Sequence, residues 1–433
     1  MSFREPNKVI FLLPSLHAGG AEGVVKRLAE ALSARGFDVS VATLDRRNQL
    51  VLSSEIEVVN LSKVEGTSSK LKKLLAVPKQ LISLFKLARE NRDAVFISFL
   101  ERPIVCLGLI KFLIDIKAIA SFRNHTSTHL KSGRKGPFGK VVEFLYKKLL
   151  TITSLRYEHL DFLSYSVQDD FFENFAERTK VERRLSHGVI YNGYDIVKLN
   201  HRATEGLIDI PESFFEENFV CTSIGRITEQ KGQLEFLPVV VEVVRSNPKI
   251  KFVFVGQGPD YDSLKLKAES LGLKVWELGN SPKNEDSERA SVILTGHLEN
   301  PFPIMKKSSL FVFPSKWEGF GNALIEALSL GVPALSADCP VGPREILNLD
   351  RFESFGCIAK RGDGGFLLPL FHPNCPKLNK VYECWAAKIL ELSENEAERS
   401  GLCREAADRA VAFDEGTQVD KWSTLILKIT ERV

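Results

Sequence analysis

A run in the second half of the chain has the residue types and spacing of a ligand site: Ser315-Lys316-Trp317-Glu318-Gly319-Phe320-Gly321-Asn322-Ala323-Leu324-Ile325-Glu326. It lies between an apolar run that reads as a strand and a short helical pattern. Gly319 and Gly321 let the backbone approach a ligand closely. Asn322 can cap the helix that follows. The free N–H groups there, with the helix dipole, suit a phosphate or an electron-rich sugar oxygen. Glu318 stands in the loop and Glu326 a turn into the helix, so each can accept hydrogen bonds from paired hydroxyls. A Gly-rich turn with two solvated glutamates fits the same letters.

A second set, Gly225-Arg226-Ile227-Thr228-Glu229-Gln230-Lys231-Gly232, follows another apolar run. Arg226 can fork onto a phosphate and Lys231 adds a point charge. Two cations beside a departing diphosphate would stabilise the charge that develops on it. By itself the set also reads as a surface loop with ordinary charges. No metal-binding Asp-x-Asp pair stands after a strand, so metal-independent chemistry and no cofactor are expected.

The elements that must position these residues are legible from periodicity. Lys8–Leu13 reads as a buried strand, His17–Gly20 as a Gly-rich turn, Ala21–Arg35 as a helix ended by Gly36, and Val39–Thr43 as a second strand. Such β-α-β units imply a doubly wound parallel sheet. Ala94–Phe99, Ala118–Phe122, Leu163–Ser166 and Val189–Tyr191 continue the strand series. Around Asn192–Glu217 the periodicity fails, which suggests a linker. A second series follows: strands at Phe219–Ile224, Phe252–Val255, Val292–Thr295, Leu310–Phe313 and Val332–Ser336, with helices near Leu234–Ser246 and Asn322–Leu330. Trp276–Arg289 reads as a polar surface insertion, and Thr417–Arg432 as a closing helix. The expected domains are 1–198, 199–416 and a C-terminal helix, 417–433.

Length and composition agree. A chain of 433 residues exceeds what one core usually supports, and 44% hydrophobic with 26% charged residues is ordinary for globular domains. The net charge of +3 is unevenly spread: Ser69–Arg92 holds seven Lys or Arg and one Glu, and Lys131–Lys148 six and one. The seven cysteines form no C-x-x-C pair, so disulfides and zinc are not expected and a cytoplasmic setting is. Val9–Leu13 is too short for a signal peptide, and Ile104–Ala120 is broken by Lys111, Asp115 and Lys117, so no spanning helix is expected.

Four motifs, in order, resemble retaining glycosyltransferases of family four: His17–Glu22 (HAGGAE), Gly225–Gly232 (GRITEQKG), Gly256–Pro259 (GQGP) and Glu318–Glu326 (E-x7-E). Phe311–Ser315 (FVFPS), Gly342–Leu347 (GPREIL) and Gly365–Pro369 (GFLLP) match as well. The resemblance is close over Asn218–Pro369 and looser before it, mainly Lys8–Asp45. It implies an α/β, GT-B architecture of two doubly wound Rossmann-like domains facing a central cleft. It further implies a nucleotide diphosphate-sugar donor, UDP-linked by family habit, bound by the C-terminal domain. Arg226 and Lys231 would contact the diphosphate, Glu318 the reaction centre and Glu326 the ribose. Phe320, Gly321 and Asn322 would meet the sugar and phosphate. Gly256 and Leu298 join the donor side, and Gly19 and Gly20 would close over it. The final helix, with Trp422, would cross back to the first domain.

The usual histidine after an N-domain strand is missing: the stretch reads Ser98-Phe99-Leu100-Glu101-Arg102. Arg123-Asn124-His125 instead resembles a subgroup acting on lipid-linked glycans in polysaccharide biosynthesis. That puts Arg123 and His125 on the acceptor side, His125 as a base or hydrogen-bond donor; a structural His125 fits equally. Leu71–Arg89, two short helices if Pro78 breaks it, and Lys140–Leu150 are basic and amphipathic. Stretches 69–92 and 131–148 could therefore rest on anionic membrane, or be ordinary crossover helices with lysine-rich outer faces. No nucleic-acid motif accompanies the basic residues.

Three other readings use the same letters. A nicotinamide-dependent oxidoreductase would place Asp45 on a ribose, but His17–Gly23 lacks G-x-G-x-x-G. A sugar-nucleotide epimerase would need no acceptor. A non-catalytic glycan-binding protein could share the fold.

Overall fold

The computed structural model describes residues 7–17, 20–46, 49–64, 70–127, 137–182, 185–206, 210–279, 289–351, 353, 356–371 and 377–431. The chain divides into two compact units, Met1–Gly193 with Glu415–Val433, and Tyr194–Asp414.

In the first unit, β1 (Lys8–Leu13), α1 (Gly20–Ala34), β2 (Asp38–Thr43), β3 (Glu57–Asn60), α2 (Lys70–Glu90) and β4 (Val95–Phe99) come first. Then follow α3 (Glu101–Ile110), β5 (Lys117–Phe122), α4 (Pro137–Ser154), β6 (His159–Phe162), α5 (Tyr165–Asn174), α6 (Arg178–Glu182) and β7 (Ser186–Val189). Central strands such as VFISF in β4 are buried at every position. This is why they read as continuous apolar runs: a parallel sheet is covered on both faces. The strand order is β3-β2-β1-β4-β5-β6-β7. Successive strands therefore move outward in opposite directions from β1 and β4, which makes a switch point there. The C-terminal helix, Glu415–Glu431, puts Val419, Trp422, Ile426 and Ile429 into the same core as Val9, Phe11 and Val95. Trp422 stacks on Phe99 with ring centroids 6.0 Å apart.

The second unit begins with α7 (Ile196–Arg202), α8 (Glu212–Glu217), β8 (Phe219–Ile224), α9 (Gln233–Ser246), β9 (Ile250–Val255), α10 (Tyr261–Ser270), β10 (Val275–Glu277) and β11 (Val292–Leu294). It continues with α11 (Phe302–Lys307), β12 (Leu310–Phe313), α12 (Asn322–Ser329), β13 (Ala334–Ala337), α13 (Pro343–Ile346), β14 (Lys360–Gly362), β15 (Gly365–Leu368), α14 (Leu378–Glu394) and α15 (Glu396–Ala410). The strand order is β10-β11-β9-β8-β12-β13-β15-β14, parallel except for the β14–β15 hairpin. Its switch point lies between β8 and β12.

Several expectations are corrected. Asn192–Glu217 is not a bare linker: it folds into α7 and α8. The Asp195 side chain caps α7 by accepting from the Lys198 amide, and Asn200 donates to the Ser329 carbonyl at 3.1 Å. The strand expected at Leu163–Ser166 lies earlier, at His159–Phe162, and Ser164 caps α5 by accepting from the Val167 amide. Pro78 does not split Leu71–Arg89: α2 runs through it, with the proline ring on the exposed side. Trp276, expected in a surface insertion, is a buried residue of β10 packed with Val253 and Ile293. Six cysteines, all free, lie among the described residues.

Arg123, expected on the acceptor side, is a buried strut instead. Its Nε donates to Ser121 Oγ at 2.7 Å, one terminal nitrogen to the Ile190 carbonyl at 2.9 Å, and the other to Asp161 Oδ2 at 2.5 Å. The guanidinium also lies 5.0 Å from the Phe99 ring and 5.6 Å from the Trp422 ring. Burial raises the Asp161 carboxyl to about 6 and lowers the Arg123 guanidinium, each opposed by its partner's charge. Such a pair is costly to halve and cheap to replace whole. Arg123→Met is expected to lower the free energy of unfolding by about 3–5 kcal/mol. Arg123→Met with Asp161→Leu should recover most of that. Urea denaturation of both variants checks this; a single variant as stable as the double would refute the pairing.

Candidate functional site

The loops after β8 and β12 leave neighbouring strands, paired at Leu310 with Cys221 and at Phe311 with Thr222. They are laced together. The Lys316 amide donates to the Gln230 carbonyl at 2.8 Å, and the Gln230 side chain donates to the Trp317 carbonyl at 2.9 Å. Lys316 Nζ reaches Glu235 at 2.6 Å. These bonds bring the key charges of the two sequence motifs into contact: Lys231 Nζ lies 2.7 Å from Glu318 Oε1. The Glu318 side chain is 7% exposed and that of Lys231 18%, so the pair is screened from bulk water. Lys231 Nζ also lies 5.2 Å from the centre of the Phe313 ring.

Arg226 is exposed, and its guanidinium has no partner among the described residues. Its carbonyl accepts from the Gln233 side chain at 3.3 Å. Gly256 lies on the next strand's loop. Its φ is 144°, and a Cβ there would stand 1.9 Å from the Gly225 carbonyl oxygen. The Gly256 amide donates to the Gly296 carbonyl at 2.8 Å, which draws in the loop after β11. Leu298, two residues on, is half-buried against the Val220, Val253 and Ile293 cluster.

Gly321, with φ 116°, is the N-cap residue of α12; Asn322 is the first helical residue and not the expected cap. The Asn322 side chain accepts from the Tyr194 hydroxyl at 2.6 Å instead. The amides of Asn322 and Ala323 have no acceptor among the described residues, as the start of a helix leaves them. Glu326 is half-buried on the second turn. Phe320 is buried and packs edge-on to Phe413, centroids 5.9 Å apart. A Cβ on Gly342 would stand 1.5 Å from the Phe320 carbonyl oxygen, so α13 and the Glu318–Gly321 loop touch backbone to backbone. The hydroxyls of Thr228 and Ser315, one in each laced loop, are buried without a hydrogen-bond partner among the described residues. Sequence reasoning passed over them, although both stand inside the motifs. Each leaves hydrogen-bonding capacity that a water or a polar ligand can satisfy.

In the first unit, polar groups collect at the carboxyl ends of the strands. His125 Nδ1 lies 3.4 Å from Asp170 Oδ1, whose other oxygen accepts the Ser127 amide at 2.9 Å. His125 is thus oriented by a buried carboxylate, as a base or donor must be. Glu101 occupies the stretch without histidine; it is buried and accepts from Thr126 Oγ1 at 3.2 Å. Leu100 before it has φ 72°, a strained value for leucine. After β1, His17 Nδ1 lies 2.7 Å from the buried carboxylate of Glu22. This dyad was not singled out from the sequence, although the HAGGAE motif contains both members. Gly20 opens α1, while Gly19 lies outside the described residues. Asp45, the ribose-binding acid of the oxidoreductase alternative, is held by Arg102 at 2.7 and 3.2 Å and by Gln80 at 3.0 Å. Its carboxylate is already engaged.

Comparison with known proteins agrees with this division. The Glycosyltransferase Family 4 model matches residues 18–198, and the Glycosyl transferases group 1 model matches residues 218–365. An uncharacterised glycosyltransferase of Methanocaldococcus jannaschii is 30% identical over 282 residues, which span 62% of this chain and 61% of that protein. A Campylobacter jejuni alpha-1,4-N-acetyl-D-galactosaminyltransferase, named for a diNAcBac-PP-undecaprenol-linked glycan, is 25% identical over 98% of this chain and 99% of its own. The fold is that of the Anabaena protein HepE, solved in complex with UDP: TM-score 0.68 and 17% identity, over 97% of this chain and all of that one. Together the two models span about three quarters of the sequence, in the order of the two doubly wound units. The chain belongs to the glycosyltransferases, as a GT-B enzyme joining a family 4 domain to a group 1 domain.

Proposed function

We propose that the protein transfers a sugar, with retention, from a UDP-sugar to a hydroxyl of a lipid-linked glycan in the building of a cell-surface polysaccharide. The observation that carries this reading is the Lys231–Glu318 pair beside the uncapped start of α12. It combines a cation, a carboxylate and free amides at a sheet switch point. The lipid-linked acceptor and the uridine donor are supported by the names of the Campylobacter and Anabaena proteins.

In this reading, Arg226, Lys231 and the Asn322 and Ala323 amides meet the diphosphate. The bond from the anomeric carbon to the diphosphate breaks as the acceptor oxygen bonds to that carbon, and these groups stabilise the charge left on the leaving group. Glu326 holds ribose hydroxyls and Glu318 lies at the sugar. His125, oriented by Asp170, takes or shares the acceptor proton. Charge neutralisation by Arg226 and Lys231 replaces a divalent metal. The acceptor's lipid would bring the enzyme to the cytoplasmic face of a membrane, with contact through 69–92 and 131–148, of which residues 69 and 131–136 lie outside the described residues. No helix of the described residues is long and apolar enough to cross a membrane.

The donor site is tested by a thermal-shift panel of nucleotide diphosphates and their sugars. UDP compounds are expected to raise the melting midpoint by mass action. Glu326→Ala should weaken their binding by about tenfold, the worth of one hydrogen bond to a charged group. Lys231→Ala should lower turnover by about 10²–10³ with a smaller effect on binding. Wild-type activity in both variants would sink the assignment, and stabilisation by NAD alone would overturn the function. Chelation with EDTA is expected to leave the transfer rate unchanged; a loss restored by magnesium or manganese would refute the metal-free scheme. Gly342→Ala should push the Phe320 carbonyl aside and raise KM for the donor by about tenfold or more with little change in KM for acceptor, since small displacements at a binding loop cost that much.

A further inference from the structure

The layer formed by α2, α3 and α4 carries apolar side chains on the side that faces solvent. α3 packs against both α2 and α4, so the three are one surface. On α4, Val141, Phe144, Leu145 and Ile152 are each more than half exposed. They stand at i, i+3, i+4 and i+11, a single stripe of the helix. Lys148, at i+7, completes the stripe, and its ammonium lies 5.6 Å from the Phe144 ring centre. The turn that ends α3 adds exposed Phe112 and Leu113, and Arg156 lies 4.5 Å over the Phe112 ring. Leu75 and Ile82 of α2 are exposed as well, on the same face as Lys79, Lys86 and Arg89. Eight of the seventeen large apolar side chains exposed among the described residues therefore come from this layer. Scattered exposure needs no explanation, but clustering marks a contact surface.

The charges around the stripe identify the partner. Glu143 is paired with Lys147 at 3.2 Å and Glu158 with Lys111 at 2.9 Å. Lys140, Lys148 and Arg156 remain exposed beside the apolar groups, with Asp115 the exposed acid of the α3 turn. Aromatic and aliphatic tips ringed by cations fit the headgroup boundary of an anionic bilayer. A second copy of the same face would instead set like charges against each other.

We propose that this face docks on an anionic lipid bilayer. Phe112, Leu113, Val141, Phe144, Leu145 and Ile152 enter the interface, while Lys140, Lys148 and Arg156 meet the headgroups. The inference rests on the reading of a lipid-linked acceptor. It makes the contact an insertion centred on α4 and the α3 turn rather than adsorption of lysines alone.

Sedimentation with vesicles of phosphatidylcholine, and of phosphatidylcholine with an equal part of phosphatidylglycerol, tests it. Wild-type protein is expected to bind the anionic vesicles and to leave the neutral ones mostly free. Phe144→Ser with Leu145→Ser should weaken binding by about tenfold or more, the factor expected when a large apolar side chain loses its apolar contact. Lys140→Glu with Lys148→Glu should abolish the preference for anionic lipid. Leu145→Trp should be quenched by bromine-labelled acyl chains, a readout that holds even if the serine variant folds poorly. Wild-type protein that ignores anionic vesicles, serine variants that bind as well as wild type, or a lipid-free dimer that the serine changes dissociate would each overturn the proposal. Activity on a water-soluble acceptor analogue separates the two readings. Serine variants that keep it while losing vesicles support docking; wild type inactive on any acceptor yet bound to vesicles refutes the transferase reading and leaves docking standing.

Discussion

The second unit depends on a reversal in strand order. Because β9 and β12 lie on opposite sides of β8, the loops leaving β8 and β12 start side by side at the carboxyl end of the sheet. Neither loop alone would hold a charged side chain at a fixed place. Laced by Lys316, Gln230 and Glu235, they form one rigid lip that sets Lys231 against Glu318. The cation and the carboxylate of the proposed donor site are thus held to each other by the fold itself.

The first unit uses buried charge differently. Arg123 ties the ends of β5 and β6 to the segment after β7 and also lies over aromatic rings of β4 and the C-terminal helix. Its worth is geometric, since the desolvation that raises Asp161 offsets much of the attraction. In the same unit, buried carboxylates at Glu22, Glu101 and Asp170 each hold a neighbouring polar side chain.

Central strands were legible because parallel sheets bury both faces, so KVIFLL and IKFVFV announce themselves. Elements that lack such runs were not. β3 is a half-exposed edge of four residues, and β14 is the polar arm of a hairpin. β6 was displaced in the reading because His159 and Asp161 interrupt its apolar letters, and Asp161 is held in the core by Ser121 and Arg123, 40 and 38 residues away. Trp276 looked like part of a polar insertion because its strand is only three residues long. At the candidate site, the motifs name two loops, and the strand order sets those loops side by side. The Lys231–Glu318 contact spans 87 residues, and the Tyr194 hydroxyl that claims Asn322 lies 128 away. No local pattern carries such pairings.

The Lys231–Glu318 pair has a consequence for turnover. Before the donor binds, Glu318 already occupies the ammonium that a diphosphate would use, at an effective concentration set by covalent attachment. Under the proposed assignment, the carboxylate would be a built-in competitor of the nucleotide. A single weak anion gains little by displacing it, whereas a diphosphate that also engages Arg226 and the α12 amides has several contacts to set against one. In the proposed scheme the same competition would run forward after transfer: as the spent nucleotide loosened, Glu318 would reclaim Lys231, and the product would be discarded with the help of the group assigned to the sugar.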